Sequence, residues 1–268
     1  MRVVSLINGS LLSEKAALYA VYYAKQLKLN LTFIHIESND SMKKVIQSVE
    51  NLELQAQKQG VKTEFITLKS LSKLKKFVEN KGIDIIFCST RQNHSILDKS
   101  FVKKLISEKI KADLAIIKIV QIAKVENINS ILLPIRETRL SVKKFALMEV
   151  FAKVYNTKVE IYSLDKISAK KLSNITSKDI KQKLQEVLFK LRHYIKMFHI
   201  NNISFAIKHD FSLSQGDRVK EHIAKHNYDL AIIGAHKDDN SIFNKKHPID
   251  ILFKTPLINT LYFIPHKD

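Results

Sequence analysis

Basic and imidazole side chains follow the apolar run at residues 229–233, which reads DLAII. The set begins with the glycine that follows the run, Gly234, and continues with His236, Lys237 and His247. A glycine lets backbone N–H groups approach a ligand closely, and cationic side chains bind anions. Since ligands of open α/β sheets bind just past the strand ends, these residues predict an anion pocket with Arg136 beside it. The alternative is a loop without a ligand, and the two interpretations have equal weight.

A second set of polar residues follows the apolar run at 84–88, which reads DIIFC. Its members are Ser89, Arg91, His94 and Ser100, with the turn Asn8-Gly9-Ser10 expected opposite them. The same reasoning about strand ends places a pocket here. A plain loop is the favoured interpretation, because no glycine follows this run.

Other catalytic and metal-binding patterns are weak. No GxSxG turn is present, and scattered Ser, His and Asp residues do not define a triad. His222 and His226 lie four residues apart, a spacing that can bind zinc on a helix, but no acidic or thiol ligand is evident nearby beyond Glu221. Two surface histidines are therefore favoured, and we predict neither a metal site nor catalytic residues. The single cysteine, Cys88, lies within an apolar run and is predicted to be a buried structural thiol.

Composition limits the class of protein. The chain has 268 residues, 45% of them hydrophobic, which suffices for one large domain or two smaller ones. No apolar run approaches the roughly 20 residues of a membrane helix, so we expect a cytoplasmic protein without membrane insertion. The net charge of +19 suits a polyanion partner, either nucleic acid or an anionic surface. A solvated lysine-rich surface is favoured instead, because the lysines are spread along the chain and no nucleic-acid module is recognisable.

Strands and helices are predicted to alternate along the whole chain, which is typical of a parallel α/β sheet. The predicted strands are 3–7, 31–36, 62–67, 84–88, 113–117, 130–135, 158–164, 203–208, 229–233 and 257–264. The predicted helices are 14–29, 42–58, 71–80, 100–109, 141–155, 177–199, 217–226 and 248–254.

The order of these elements repeats. Ser13 corresponds to Ser141, and Asp84 corresponds to Asp229, so that the same strand and helix order occurs twice. Two unrelated segments would rarely preserve such an order. We therefore predict two domains, 1–120 and 129–268.

The ordered set of turns resembles the universal stress protein family over nearly the whole chain. The family's first strand ends in a Pro-x-Asp-Gly-Ser type turn, for which this chain has 7–10 (INGS) and 134–138 (PIRET), the latter beginning with Pro134 and Ile135. Its fourth strand ends in Gly-x-His-Gly, and here 234–237 reads GAHK. The resemblance implies two tandem five-stranded parallel-sheet domains of the adenine-nucleotide alpha-hydrolase-like (universal stress protein) type. It also implies a pseudo-twofold pair with the two last strands at the seam.

Nucleotide-binding members of that family carry Gly-x2-Gly-x9-Gly-(Ser/Thr) after the fourth strand. In the second half of this chain the pattern falls on Gly234, Lys237, His247 and Pro248. In the first half, Ser89 and Gln92 stand at the two leading glycines, and Ser100 alone resembles the closing hydroxyl. The family's acidic residue after the first strand is replaced by Asn8 and Arg136. The resemblance therefore implies a degenerate site in both halves.

The function implied is that of a cytoplasmic, stress-response binding or regulatory module without catalysis and without conventional ATP binding. One alternative is a protein that binds ATP, AMP or another adenine nucleotide, or a weak ATPase, at the strand ends of the second half. A second alternative is a polyanion binder driven by the positive charge. A small-molecule ligand at the strand ends and a homodimer are the partners considered.

Overall fold

The computed structural model describes residues 2–38, 41–90, 101–135, 141–234 and 255–266. Strands and helices alternate as the sequence predicts. The strands are β1 (Val3–Leu6), β2 (Leu31–Ile36), β3 (Thr63–Leu68), β4 (Ile85–Ser89), β5 (Asp113–Lys118), β6 (Ser130–Ile135), β7 (Lys158–Lys166), β8 (Phe205–Ser212), β9 (Leu230–Gly234) and β10 (Asn259–Ile264). The α-helices are α1 (Leu11–Leu27), α2 (Met42–Lys58), α3 (Leu71–Lys81), α4 (Phe101–Ser107), α5 (Val142–Val154), α6 (Ala169–Leu172), α7 (Ser177–Ile200) and α8 (Gln215–Lys225).

The chain forms two compact units. Unit 1 contains β1 to β5 and also β10, from the end of the chain. Its strand order is β3-β2-β1-β4-β5-β10, and the first five strands are parallel. β10 runs antiparallel to β5, with Leu261 opposite Ile117. This pairing confirms the prediction that the last strands of the two repeats meet.

Unit 2 contains β6 to β9 in the order β9-β6-β7-β8, and all four strands are parallel. This order corresponds to β4-β1-β2-β3 of unit 1. In each unit the first strand therefore lies between the second and the fourth, and the third strand lies at the edge. The repeat predicted from the sequence is therefore present as a repeat of topology. The predicted α/β class with mainly parallel pairing is confirmed.

The central strands of each unit are apolar, which is typical of parallel strands that are buried on both faces. β1, β6 and β9 consist of buried residues almost throughout. α1 packs its alanine- and tyrosine-rich face on β1 and β4, and Tyr19, Ala20 and Ala24 are fully buried. Its first turn is capped by Ser10, whose Oγ accepts from the Ser13 N–H, and Lys28 ends it in the left-handed conformation.

Several elements differ from the sequence prediction; α6 was not predicted, and β8 is longer than predicted. β8 continues to Ser212, four residues beyond the predicted end at Lys208, although His209 and Asp210 are polar. These side chains are bound by neighbours, His209 by Ser163 of β7 and Asp210 by Arg218 of α8, so their polarity does not end the strand. The predicted helix 248–254 lies outside the described residues. Among the described helices, none combines the length and apolarity needed to cross a membrane.

Candidate functional site

The strand ends of unit 1 bring some of the predicted residues to one edge. β1 and β4 are adjacent and parallel, with Ser5 opposite Phe87, so the turn Asn8-Gly9-Ser10 and Ser89 lie at the same edge of the sheet. Parallel strands end on the same side, which is why the turn and Ser89 come together. Arg91 and Ser100 lie outside the described residues.

The turn after β1 is closed by its own hydrogen bonds. The Asn8 Oδ1 accepts from the Ser10 N–H at 3.1 Å and from the Ser10 hydroxyl at 2.8 Å. The Asn8 N–H donates to the Ser13 Oγ at 3.1 Å. Behind the turn, buried His35 donates from Nδ1 to the Ile7 carbonyl at 2.9 Å. The oxygen of Asn8 is thus engaged within its own turn.

Gly9 is held between this turn and α2. Its φ is +74°, a left-handed conformation that favours glycine. A Cβ at this position would lie 2.7 Å from the Val45 N and 2.8 Å from the Lys44 carbonyl carbon. Protein backbone therefore fills the space on that side of Gly9, and the turn is fixed by close packing on the first turn of α2.

In unit 2, the described part of the predicted site is small. Pro134 and Ile135 are the last two residues of β6, and Gly234 is the last residue of the adjacent parallel strand β9. The three therefore come to the same edge. The remaining predicted residues, Arg136, His236, Lys237 and His247, lie outside the described residues.

A cluster of titratable side chains that the sequence did not predict lies between β7, β8 and α8. Its centre is Glu160, on the third residue of β7. The Glu160 Oε1 accepts from the Tyr228 hydroxyl at 2.5 Å and from the His222 Nε2–H at 2.5 Å. Lys208 of β8 binds the other oxygen, Oε2, at 2.9 Å. Both oxygens of this carboxylate are therefore occupied by protein donors.

A second group adjoins the first through Tyr162. The Tyr162 ring stacks on the His222 ring, with centroids 4.0 Å apart and an interplanar angle of 4°. Its hydroxyl donates to the Asp210 Oδ2 at 3.3 Å. Arg218 binds the same oxygen through Nε at 2.8 Å and through Nη2 at 2.7 Å. These two charge-assisted bonds to one oxygen fix the guanidinium, whose Nη1 also binds the Glu221 Oε2 at 3.0 Å.

Hydrogen bonding and burial shift the pKa values of the side chains in this cluster. Burial alone opposes ionisation of Glu160, but the hydrogen bonds from Tyr228, Lys208 and His222 outweigh it and lower the pKa of the carboxyl. Burial lowers the pKa of the His222 imidazole in spite of Glu160. Burial and the bond to Glu160 raise the pKa of the Tyr228 hydroxyl. At neutral pH the cluster thus contains an ionised Glu160, a neutral His222 and a protonated Tyr228.

A cavity of about 300 Å³ opens beside this cluster. Its lining residues are Tyr162, Lys208, His209, Asp210, Arg218, His222, Lys225 and His226. The volume is at the lower end of the range for small-molecule sites. Charged and polar groups from a strand pair and one helix converge on it, so this is the best-defined candidate site among the described residues.

The expectation of two surface histidines is wrong for His222. His226 is exposed, but the His222 side chain is only 10% exposed and carries the contacts just described. The acidic partner, Glu160, lies 62 residues away in sequence, and only the packing of α8 on β7 brings it close. The sequence signal that could have indicated this cluster was the placement of Glu160 and Tyr162 on one face of a strand, together with the four-residue spacing of the histidines.

Two further sequence predictions concern cysteine and metals. Cys88 is 2% exposed, and burial raises the pKa of its thiol to about 12, which confirms a buried structural thiol. Within the described ranges, no group of three His, Cys, Asp or Glu side chains is arranged to hold a metal ion.

Solved structures share this fold over the full chain. A universal stress protein from Archaeoglobus fulgidus DSM 4304 superposes with a TM-score of 0.62 and 12% identity, covering 99% of this chain and 97% of that one. A functionally unknown protein from Pseudomonas aeruginosa PAO1 gives a TM-score of 0.60 and 11% identity, covering 99% and 93%. The class defined by topology and comparison is thus the tandem α/β fold of the universal stress proteins, as the sequence predicted.

The same fold also occurs in a different setting. The cytoplasmic domain of a prokaryotic cation chloride cotransporter has a TM-score of 0.59 and 9% identity, covering 99% of this chain and 95% of that one. No family model matches the sequence, and no curated protein matches it. At these identities the likeness establishes the fold, while the activity must be argued from the side chains of this chain.

Proposed function

We propose that this protein is a non-catalytic binding or regulatory module with the tandem universal stress protein fold, and that it does not bind ATP in the conventional manner. The observation that carries the proposal is the turn after β1. Asn8 stands where the family has an acid, and its oxygen is engaged by Ser10. Gly9 packs directly on the backbone of α2.

The loop residues after β4 and β9 support the same proposal. A polyphosphate is held by successive backbone N–H groups, which approach closely only where glycines remove side chains. Ser89 stands at the first glycine position in unit 1. In the second half Gly234 is kept, but Lys237 and Pro248 replace a glycine and a hydroxyl. Proline has no N–H to donate.

Thermal unfolding with and without Mg–ATP tests the proposal. A ligand present at about 100 times its Kd stabilises a protein by about 2.7 kcal/mol, which raises Tm by about 5 °C or more. We expect no such shift at millimolar Mg–ATP. A clear shift that is lost in Gly234→Val would contradict the proposal and favour nucleotide binding at the strand end of the second half.

Asn8→Asp is a matched variant for unit 1. The carboxylate keeps an acceptor for both Ser10 donors, so the turn is retained while the acid found in the family is restored. We expect this variant to remain unresponsive to Mg–ATP, because the glycines after β4 are still missing. A Tm shift with Mg–ATP in Asn8→Asp but not in the unmodified chain would mean that this one side chain accounts for the absence of ATP binding.

Polyanion binding is a second candidate function, favoured by one surface of α7. We call this surface the α7 stripe; successive spacings of three or four place its residues in one line along the helix. They are Lys178, Gln182, Gln185, Phe189, Arg192, Lys196 and Ile200. All are exposed and none is acidic. Phe189 is 66% exposed, and the Arg192 guanidinium lies 4.4 Å from its ring centre.

A charge-matched pair of variants tests the stripe. Lys178→Gln, Arg192→Gln and Lys196→Gln together lower the net charge from +19 to +16, and so do Lys43→Gln, Lys58→Gln and Lys73→Gln on exposed helix positions elsewhere. Binding to single-stranded DNA and to anionic vesicles is measured against salt concentration. Selective loss in the first variant supports the stripe. Equal loss in both variants, or no binding at low salt, would contradict it.

A further inference from the structure

We propose that the cavity between β8 and α8 of unit 2 is a binding site for a small oxyanion, such as a phosphate- or carboxylate-bearing metabolite, and that binding is coupled to proton uptake by His222. This site lies away from the strand ends. Glu160 precedes the last residue of β7, Lys166, by six residues, which is about 20 Å of extended strand. Its test is therefore independent of the ATP experiments.

The acceptors around the cavity are bound by protein donors, whereas the cations retain donors. The carboxylate oxygens are engaged: Glu160 by Tyr228, His222 and Lys208, and Asp210 by Arg218, Tyr162 and the Phe211 N–H. The cations retain donors, since an ammonium has three and a guanidinium has five. The cavity therefore offers donors and suits a ligand that accepts.

Cations outnumber anions among the residues that line the cavity. Lys208, Arg218 and Lys225 line the cavity with three positive charges, and Asp210 lines it with one negative charge. Glu160 and Glu221, which do not line the cavity, pair with Lys208 and Arg218. Lys225 is exposed, and no ion pair of its side chain is found among the described residues. An incoming anion would therefore meet one uncommitted ammonium and two cations that are held in place by carboxylates.

His222 is held in one orientation and one tautomer by its neighbours. Because Glu160 is ionised and accepts from Nε2, that nitrogen carries the proton, and Nδ1 is left as the acceptor. Stacking on Tyr162 fixes the ring plane. An anion at Nδ1 requires a donor, so its binding favours the doubly protonated ring. Binding and proton uptake are then linked in the same site.

The charged groups around His222 set the sign of this linkage. β7 contributes Glu160 and Tyr162, β8 contributes Lys208, His209 and Asp210, α8 contributes Arg218, Glu221, Lys225 and His226, and Tyr228 follows α8. Burial first, and then His226 and Lys208, lower the pKa of the unliganded His222 ring, while Glu160 raises it. An anion would raise that pKa, so its affinity must increase as pH falls.

Sulfate is the probe for the test, because it keeps one charge state between pH 6 and 8. Binding is followed by the histidine ring resonances in NMR at constant ionic strength, with chloride as the balancing anion. We expect saturable shifts at His222 and His226, and an affinity that rises by about fivefold or more from pH 7.5 to pH 6.0. Non-saturable shifts, or an affinity independent of pH, would overturn the proposal.

Variants on α8 complete the test. Lys225→Gln should weaken sulfate binding at least about fivefold at both pH values, since one uncommitted cation is lost. Lys220→Gln is the matched control, because it removes the same charge from the same helix without lining the cavity. Equal weakening in both would indicate nonspecific charge and overturn the site. His222→Gln should abolish the pH dependence, and if it does not fold, the NMR titration of His222 in the unmodified chain decides the coupling.

Discussion

At the scale of single residues, Glu160 and His222 affect stability in the same direction. Both have lowered pKa values. At a pH below the usual pKa of each group, the folded chain therefore binds fewer protons than the unfolded chain. Stability from each group is present above its unfolded pKa and is lost as pH falls. For His222 the loss begins below the usual value of 6.5, and for Glu160 below 4.5.

The free energy of unfolding should therefore fall between pH 7.5 and pH 5.5 mainly through His222. We expect His222→Gln to have a flatter dependence over this interval, because glutamine does not titrate. Urea unfolding at the two pH values measures the difference. A slope unchanged by the substitution would mean that other groups control the acid sensitivity. His226→Gln, which removes an exposed imidazole, is the control.

Gly9 and Gly60 form a natural comparison. Both have positive φ, +74° and +71°, but a Cβ at Gly60 would meet nothing within 4 Å. Gly60→Ala should cost about 1–2 kcal/mol from backbone conformation alone. Gly9→Ala should cost about 1–3 kcal/mol more, because its Cβ would strike the backbone of α2. Equal costs in urea unfolding would show that the close approach at Gly9 is unimportant.

Some residue roles are determined by neighbouring residues in the sequence, and others are determined by residues far away in the sequence. The glycine-bearing turn after β1 and the buried Cys88 were predictable, because the neighbouring residues determine both. The contacts of His222 were not, since its partner Glu160 is 62 residues distant and is selected by the register of packing. A polar residue within a strand, such as Glu160, carries no sequence sign of the side chain that will bind it.

At the scale of elements, the start of α7 is fixed by a capping box. The Thr176 Oγ1 accepts from the Asp179 N–H, and the Asp179 side chain accepts from the Thr176 N–H. Thr176→Ala should lower the free energy of unfolding of unit 2 by about 1 kcal/mol. Ser41→Ala, at the start of α2, is the control, because the Ser41 side chain makes no capping bond. Equal effects of the two substitutions would argue against the capping box.

β10 is held in unit 1 by Asn259, which is fully buried. Its Oδ1 accepts from the Val120 and Gln121 N–H groups, both at 2.8 Å, and its Nδ2 donates to the Gln121 carbonyl at 2.9 Å. Asn259→Leu would leave these backbone groups without partners, at a cost of about 2 kcal/mol or more. Hydrogen exchange should then accelerate along β5, which pairs with β10. Unchanged exchange in β5 would contradict this role.

Most elements could be predicted because their patterns are local. β2, α2 and β6 occur at the predicted bounds, since cap-rich turns and apolar runs mark both ends. β8 was predicted too short because His209 and Asp210 look like the start of a loop. Their partners on β7 and α8 supply the hydrogen bonds that a loop would take from water. Tertiary contacts of this kind do not appear in a local pattern.

At the scale of the whole molecule, the fold was more predictable than the ligand. The repeat of turns is recognisable in this chain although its sequence identity to solved structures of the same fold is only 9–12%. Apolar strands and glycine turns are required for folding in any such protein, whereas binding residues are required only by a particular ligand. Under the proposed function, Asn8, Lys237 and Pro248 are positions where the fold permits change and a conventional nucleotide site does not.

Calorimetric titration of the unmodified chain with Mg–ATP tests the central claim most directly. We expect no saturable heat up to about 1 mM ligand, corresponding to binding weaker than about −4 kcal/mol. A one-to-one isotherm with a Kd near 10 μM, lost in Gly234→Val, would contradict it. The protein would then be a nucleotide-binding module that uses the strand end of the second half.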